Sequence, residues 1–122
     1  MTTMTQSKPT CKRGDVVLVL FPNSNLRTAK LRPALVVQAD NLQTGLPQVI
    51  VAMITSRLFR ANHPSRVTIL LGEPERQKSG LLSDSVVMTD NLATVLETEI
   101  DRVIGWLSMG EIDTALKHTL SL

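Results

Sequence analysis

Tyrosine is missing from the 122-residue chain, and Phe21, Phe59 and Trp106 are its only aromatic residues. A protein that reads RNA bases by stacking them on several rings is thereby disfavoured. One cysteine, Cys11, excludes an internal disulfide framework. Together with only two histidines, His63 and His118, it also excludes a multi-cysteine zinc centre, and no metal or cofactor is expected. No apolar run approaches ~18–20 residues, so no membrane-spanning helix is expected. Residues 1–10 are polar and lack the apolar core of a secretory signal. They read as a disordered polar tail, ahead of one domain over 11–122, in a cytoplasmic protein. Nucleotide and hydrolase signatures are absent as well: no P-loop, no G-x-S-x-G, no H-E-x-x-H and no G-x-G-x-x-G.

What the chain has is ordinary globular composition, 43% hydrophobic and 20% charged, with a lopsided charge distribution under a net +2. Residues 1–72 hold nine Lys or Arg against two acids, giving +7; residues 73–122 hold four against nine, giving −5. A basic half of this kind suits a polyanion, although scattered solvated charge accounts for it equally well.

Apolar, β-branched-rich runs separated by Pro, Gly and Asn predict strands over 16–21, 34–38, 49–54, 66–71, 84–89 and 102–107. Pro33 opens the second of these. The basic stretch 23–31 reads as a mobile loop, 41–47 as a hairpin loop and 72–80 as a charged loop; residues 95–101 have room for one helical turn. Ser108 fits a helix N-cap with Glu111 as its capping-box partner. Ile112, Ala115, Leu116 and Thr119 then mark an amphipathic helix over 109–120. The expected fold is mainly β with a C-terminal α-helix, a small β-barrel. Continuous apolar runs, rather than alternation, indicate strands buried on both faces or with one face in a dimer.

Polar groups cluster at predicted strand ends: Arg32 before the second, Thr55 and Ser56 after the third, Asp90 and Asn91 after the fifth. Brought to one rim, a guanidinium, two hydroxyls and a carboxylate suit phosphodiester chemistry. Arginine forks onto phosphate oxygens, a hydroxyl donates to a non-bridging oxygen, and a carboxylate takes a proton. RNA carries its own nucleophile in the 2′-OH. Each residue also has a plain alternative: Arg32 covering apolar surface, the others forming turns. His63, in Asn62-His63-Pro64, reads as a solvated turn residue, and His118 as a cation suited to a helix C-terminus.

The segments Lys12-Arg13-Gly14-Asp15-Val16-Val17-Leu18-Val19, Leu31-Arg32-Pro33-Ala34-Leu35-Val36-Val37 and Val51-Ala52-Met53-Ile54-Thr55-Ser56 together resemble the MazF/PemK family of toxin endoribonucleases. Asp84-Ser85-Val86-Val87-Met88, Asp90-Asn91-Leu92-Ala93-Thr94-Val95 and Arg102-Val103-Ile104-Gly105-Trp106-Leu107-Ser108 continue the resemblance to the C-terminus.

The resemblance implies an SH3-like barrel of the MazF/CcdB type. It implies a type II toxin that cleaves single-stranded RNA, usually mRNA, at short sequences without metal. It further implies a homodimer and a cognate antitoxin whose acidic segment fills the RNA groove. Residue by residue, it assigns Arg32 to transition-state stabilisation and Thr55 to holding the scissile phosphate. Asp90 becomes the base for the 2′-OH. Ser56 and Arg57, with Arg27 and Lys30 of the loop, become RNA contacts. Three positions depart from the family: Met88 and Ala93 stand where members carry arginines, and Leu20-Phe21-Pro22 lacks a first-strand histidine found in some. These departures leave the general acid open. The alternatives are a non-catalytic module of the same fold, either a gyrase poison of the CcdB type or a spent paralogue that binds only its antitoxin.

Overall fold

The computed structural model describes residues 11–22, 25 and 27–122, so the expected N-terminal tail and part of the 23–31 loop lie outside the described residues. Six strands form one antiparallel sheet: β1 (Asp15–Pro22), β2 (Ala29–Val36), β3 (Gln48–Thr55), β4 (Arg66–Ile69), β5 (Ser85–Leu96) and β6 (Ile100–Trp106). Their spatial order is β4-β5-β3-β2-β1-β6, and β4 and β6 do not pair, so the sheet stays open at that seam. One helix, α1 (Gly110–Leu120), follows β6. The expected mainly-β fold with its C-terminal helix is therefore present.

The continuous apolar runs have a direct explanation. Successive strand residues point to opposite faces, and here both faces are buried. Val16, Leu35, Ala52, Ile54, Val67, Ile69 and Val87 face α1 and pack against its Ile112, Ala115 and Leu116. Val17, Val19, Ala34, Val36, Val49 and Val51 pack in a second cluster with Val95 of β5 and Ile100 of β6. Strands buried twice need Val and Ile at every position rather than at alternate ones.

The Arg13-Gly14-Asp15 motif is a clasp. Gly14 donates to the Val36 carbonyl, and Leu107 donates back to the Gly14 carbonyl. Arg13 binds the Val37 carbonyl through Nε at 3.0 Å and Asp113 of α1 through Nη2 at 2.6 Å. Its chemistry ties strand, loop and helix together.

Several boundaries differ from the sequence reading. β2 begins at Ala29, so the last third of the expected loop is strand, and Lys30 and Arg32 are strand residues. Pro33 sits inside β2 rather than at its start. It is tolerated because β2 pairs with β3 only from Ala34 onward, leaving its first five residues with β1 alone. β5 runs through to Leu96, and the helical turn read over 95–101 is a 3-10 turn of three residues, Glu97–Glu99. The α1 N-cap is Met109 without a side-chain cap, not Ser108. Glu111, freed from a capping box, accepts instead from the buried Arg76 at 2.8 Å.

A second 3-10 segment, Pro74–Ser79, presses on β6. A Cβ on Gly105 would collide with the Lys78 and Ser79 backbone, and one on Gly80 with the Ile104 carbonyl. Gly80 also has φ +72°, a conformation that L side chains rarely adopt. This close approach carries the segment 80–83 to the edge of the site.

Candidate active site

The site lies where β2 and β3 stop pairing with each other. β2 and β3 pair from Val36–Val51 to Ala34–Met53 and then separate. Carried two residues further, the same register would set Arg32 against Thr55, and both residues line the same cavities. The parting of two strands thus opens a cleft with a guanidinium on one lip and a hydroxyl on the other. Thr55 accepts the Arg57 amide on Oγ1 at 3.1 Å, which fixes the turn leaving β3.

Two cavities meet at this cleft, and Arg32, Ile54, Thr55 and Arg57 line both. The first, about 580 Å³, adds Lys30 and Ser56, with Arg102 of β6 and the segment Gly80–Ser83 as its far wall. The second, about 560 Å³, adds Arg60, Arg66, Asp90 and Asn91. In it, four arginines face a single carboxylate. Such a concentration of guanidinium groups seeks anions with forked oxygens.

Asp90 reaches the cavity through a bulge. β5 pairs with β3 at Met88–Met53 and again at Leu92–Ala52, so residues 89–91 have no partner on β3. Thr89 points to the helix side, where its buried Oγ1 donates to the Ser65 carbonyl at 2.6 Å and lies 2.8 Å from Thr119 Oγ1. The next side chain, Asp90, consequently emerges on the site face.

There it meets Arg66, a residue the sequence reading did not assign to the site. Arg66 Nη2 donates to Asp90 Oδ2 at 2.7 Å, Nε donates to Oδ1 at 3.3 Å, and Nη1 donates to the Arg60 carbonyl at 3.1 Å. The hydrogen bonds from Arg66 hold the Asp90 carboxyl below its ordinary range, against a smaller opposing effect of burial. Arg66 stands directly opposite Met88 across the β4–β5 pair. A guanidinium therefore occupies the neighbourhood where the strand itself carries methionine. Nothing local in the sequence marks this arginine; its partner lies 24 residues away.

Of the other expected residues, Lys30, Ser56 and Arg57 join Arg32 and Thr55 in the first cavity, whereas Arg27 is exposed and lines neither. The Arg27 amide donates to Asn25 Oδ1 at 2.9 Å in a local turn. His63 is exposed in its turn, accepting the Ser65 amide on Nδ1 at 3.0 Å, with its ring 6.1 Å from that of His118. Among the described residues, no three of His, Cys, Asp and Glu gather into a group able to hold a metal ion, and no helix is long and apolar enough to cross a membrane.

Known proteins share this architecture. An endoribonuclease from a mycobacterial species matches with a TM-score of 0.68 at 22% identity, over 94% of this chain and 95% of its own. A mycobacterial endoribonuclease in complex with its cognate antitoxin matches with a TM-score of 0.69 at 22% identity, over 93% of this chain and 97% of that one. MazF from Deinococcus radiodurans matches with a TM-score of 0.68 at 18% identity, over 94% of this chain and all of that one. The family model for the PemK-like, MazF-like toxin of type II toxin–antitoxin systems matches residues 12–120. The chain belongs to this PemK-like, MazF-like toxin family.

Proposed function

We propose that this toxin-family member is an endoribonuclease that cleaves single-stranded RNA by 2′-OH transesterification, with no metal in the reaction. One observation supports the reading: Arg32 and Thr55, beyond the last β2–β3 pair, both line two arginine-lined cavities. The fold shared with proteins described as endoribonucleases agrees with it.

The scissile phosphate sits in the cleft, with a non-bridging oxygen accepting from the Thr55 hydroxyl. The 2′-oxygen attacks phosphorus, its proton passes to the Asp90 carboxylate, the P–O5′ bond breaks and the 5′-oxygen takes up a proton. The products are a 2′,3′-cyclic phosphate and a 5′-hydroxyl. Arg32 stabilises the charge that grows on the phosphorane oxygens; arginine is a poor proton donor in water, so its contribution is electrostatic. Lys30, Ser56 and Arg57 hold flanking phosphates and set the register of the strand rather than its sequence. Arg27, outside both cavities, adds charge at the rim.

The cationic cleft also suits the acidic segment of a cognate antitoxin, the kind of partner seen with the mycobacterial and Deinococcus relatives. A homodimer in the cytoplasm completes the proposal; sedimentation showing only monomer at micromolar concentration would remove the dimer from it. The catalytic reading is tested by incubating the protein with a long single-stranded RNA in EDTA and mapping the ends. Cyclic-phosphate ends at discrete sites support it, and intact RNA contradicts it.

A further inference from the structure

Arg66 has all three guanidinium nitrogens engaged, two on Asp90 and one on the Arg60 carbonyl. It nevertheless sits at the surface, with its side chain 23% exposed and that of Asp90 34% exposed. It also lines the cavity that holds Arg32, Thr55, Arg57 and Arg60. An ion pair this open to water, with the second bond of its fork at 3.3 Å, is readily exchanged for another anion. A phosphodiester offers the same pair of forked oxygens that Asp90 offers, and it enters a cavity whose other charges attract it. The Asp90 oxygens that Arg66 occupies are the ones a base needs. A carboxylate engaged by a guanidinium is a poor proton acceptor until that guanidinium leaves.

We infer that Arg66 exchanges partners when RNA binds: its guanidinium moves from the Asp90 carboxylate to an RNA phosphate, and Asp90 is released towards the 2′-OH. Arg66 is thus a phosphate-binding residue in the bound state and a restraint on Asp90 in the free state. The inference rests on the RNA-cleavage reading for the use made of the released carboxylate. The exchange itself requires only that RNA binds in this cavity.

The test uses a probe that binds but cannot react, a mixed-sequence single-stranded RNA fully methylated at the 2′-oxygens, so that binding is read apart from cleavage. Affinity is measured by fluorescence anisotropy across a salt series for the wild type, Arg66→Gln, Asp90→Asn and the double variant. Loss of one phosphate contact should lower the slope of log K against log salt by about 0.7 in Arg66→Gln. Asp90→Asn removes the competing carboxylate and should tighten binding about two- to fivefold, the size of an exposed ion pair. That gain should vanish in the double variant, because no guanidinium remains to be released.

Arg66→Lys keeps the charge without the fork. It should retain the wild-type slope with weaker binding, and it guards against a variant lost to misfolding. An unchanged slope in Arg66→Gln overturns the inference. So does an Asp90→Asn gain that persists undiminished in the double variant, since that gain would be simple removal of negative charge. Absence of binding by the wild type at low salt overturns it too. Intact unmethylated RNA alongside the expected binding pattern would instead refute the cleavage reading and leave the exchange standing.

Discussion

Arg32 and Thr55 fall at the second position of the β2–β3 register beyond the last formed pair, Ala34–Met53, and line the same two cavities. Strand pairing brings the two residues together, and its failure to continue leaves space between them. Phosphate chemistry needs that combination of fixed donors and an open gap.

Removing either lip of this cleft should cost activity and not folding. Arg32 is exposed and Thr55 half-buried, so neither truncation opens the core. Arg32→Ala should lower the cleavage rate about 100- to 1000-fold, as for other preorganised transition-state donors. Thr55→Val should lower it less, with thermal midpoints of both variants close to the wild type. Single-turnover cleavage beside thermal melts checks this.

The contact between Gly105 and the Pro74–Ser79 segment should tolerate no side chain. A methyl group on Gly105 meets backbone atoms of Lys78 and Ser79, which cannot rotate away as a side chain would. Gly105→Ala should therefore cost about 2 kcal/mol or more in urea unfolding, in line with overpacking of a rigid site. It should also weaken RNA binding, because the residues that follow the segment, Gly80–Ser83, form one wall of the first cavity.

Ser108 offers a discriminating control. A capping serine replaced by alanine costs ~1 kcal/mol. The α1 cap is Met109 and no side-chain cap bond forms, so Ser108→Ala should fall within about 0.5 kcal/mol of the wild type. Glu111→Gln, by contrast, leaves the buried Arg76 guanidinium without its carboxylate and should destabilise clearly. Urea unfolding of the two variants separates these cases.

Acid should loosen the site through Asp90. Its folded pKa lies below the unfolded value because Arg66 binds the charged form. The pair therefore contributes stability above the unfolded carboxylate pKa and loses it as pH falls through the folded one. The difference in thermal midpoint between the wild type and Asp90→Asn should be constant near neutrality. It should shrink as the pH falls below the unfolded carboxylate pKa, about 4, and vanish once the folded carboxyl is protonated. A difference that grows on acidification would reverse the sign of the assignment.

Cys11 should react slowly. Burial raises its thiol pKa, and the charges of Asp15 and Glu97 raise it further, so little thiolate forms at neutral pH. Alkylation at pH 7.5 should lag behind that of glutathione by an order of magnitude or so, a difference that mass spectrometry reads directly.

Periodicity located the strands because doubly buried residues leave long apolar runs, as in Val16–Val19 and Val49–Ile54, and the terminal helix showed its stripe of Ile112, Ala115 and Leu116. It misplaced the start of β2. Residues 29–33 pair on one side only and carry Lys, Arg and Pro, so no apolar pattern announces a strand. It also could not foresee that Asp90 leaves the ladder in a bulge instead of ending a strand. Arg32 and Thr55 were legible because they adjoin strong strands. Arg66 was not, since the charge that defines its role lies on another strand and pairs with it only after folding. Ser108 illustrates the converse: its local capping pattern was complete, yet the cap is Met109 and Glu111 is engaged by Arg76.

The most direct test of the central claim is cleavage of a long single-stranded RNA in EDTA by the wild type and Arg32→Ala side by side, with the new ends mapped. Discrete cuts ending in cyclic phosphates, lost in Arg32→Ala while its fold is retained, are the predicted result. Intact RNA with folded wild-type protein, or equal cleavage by the two proteins, would contradict the account.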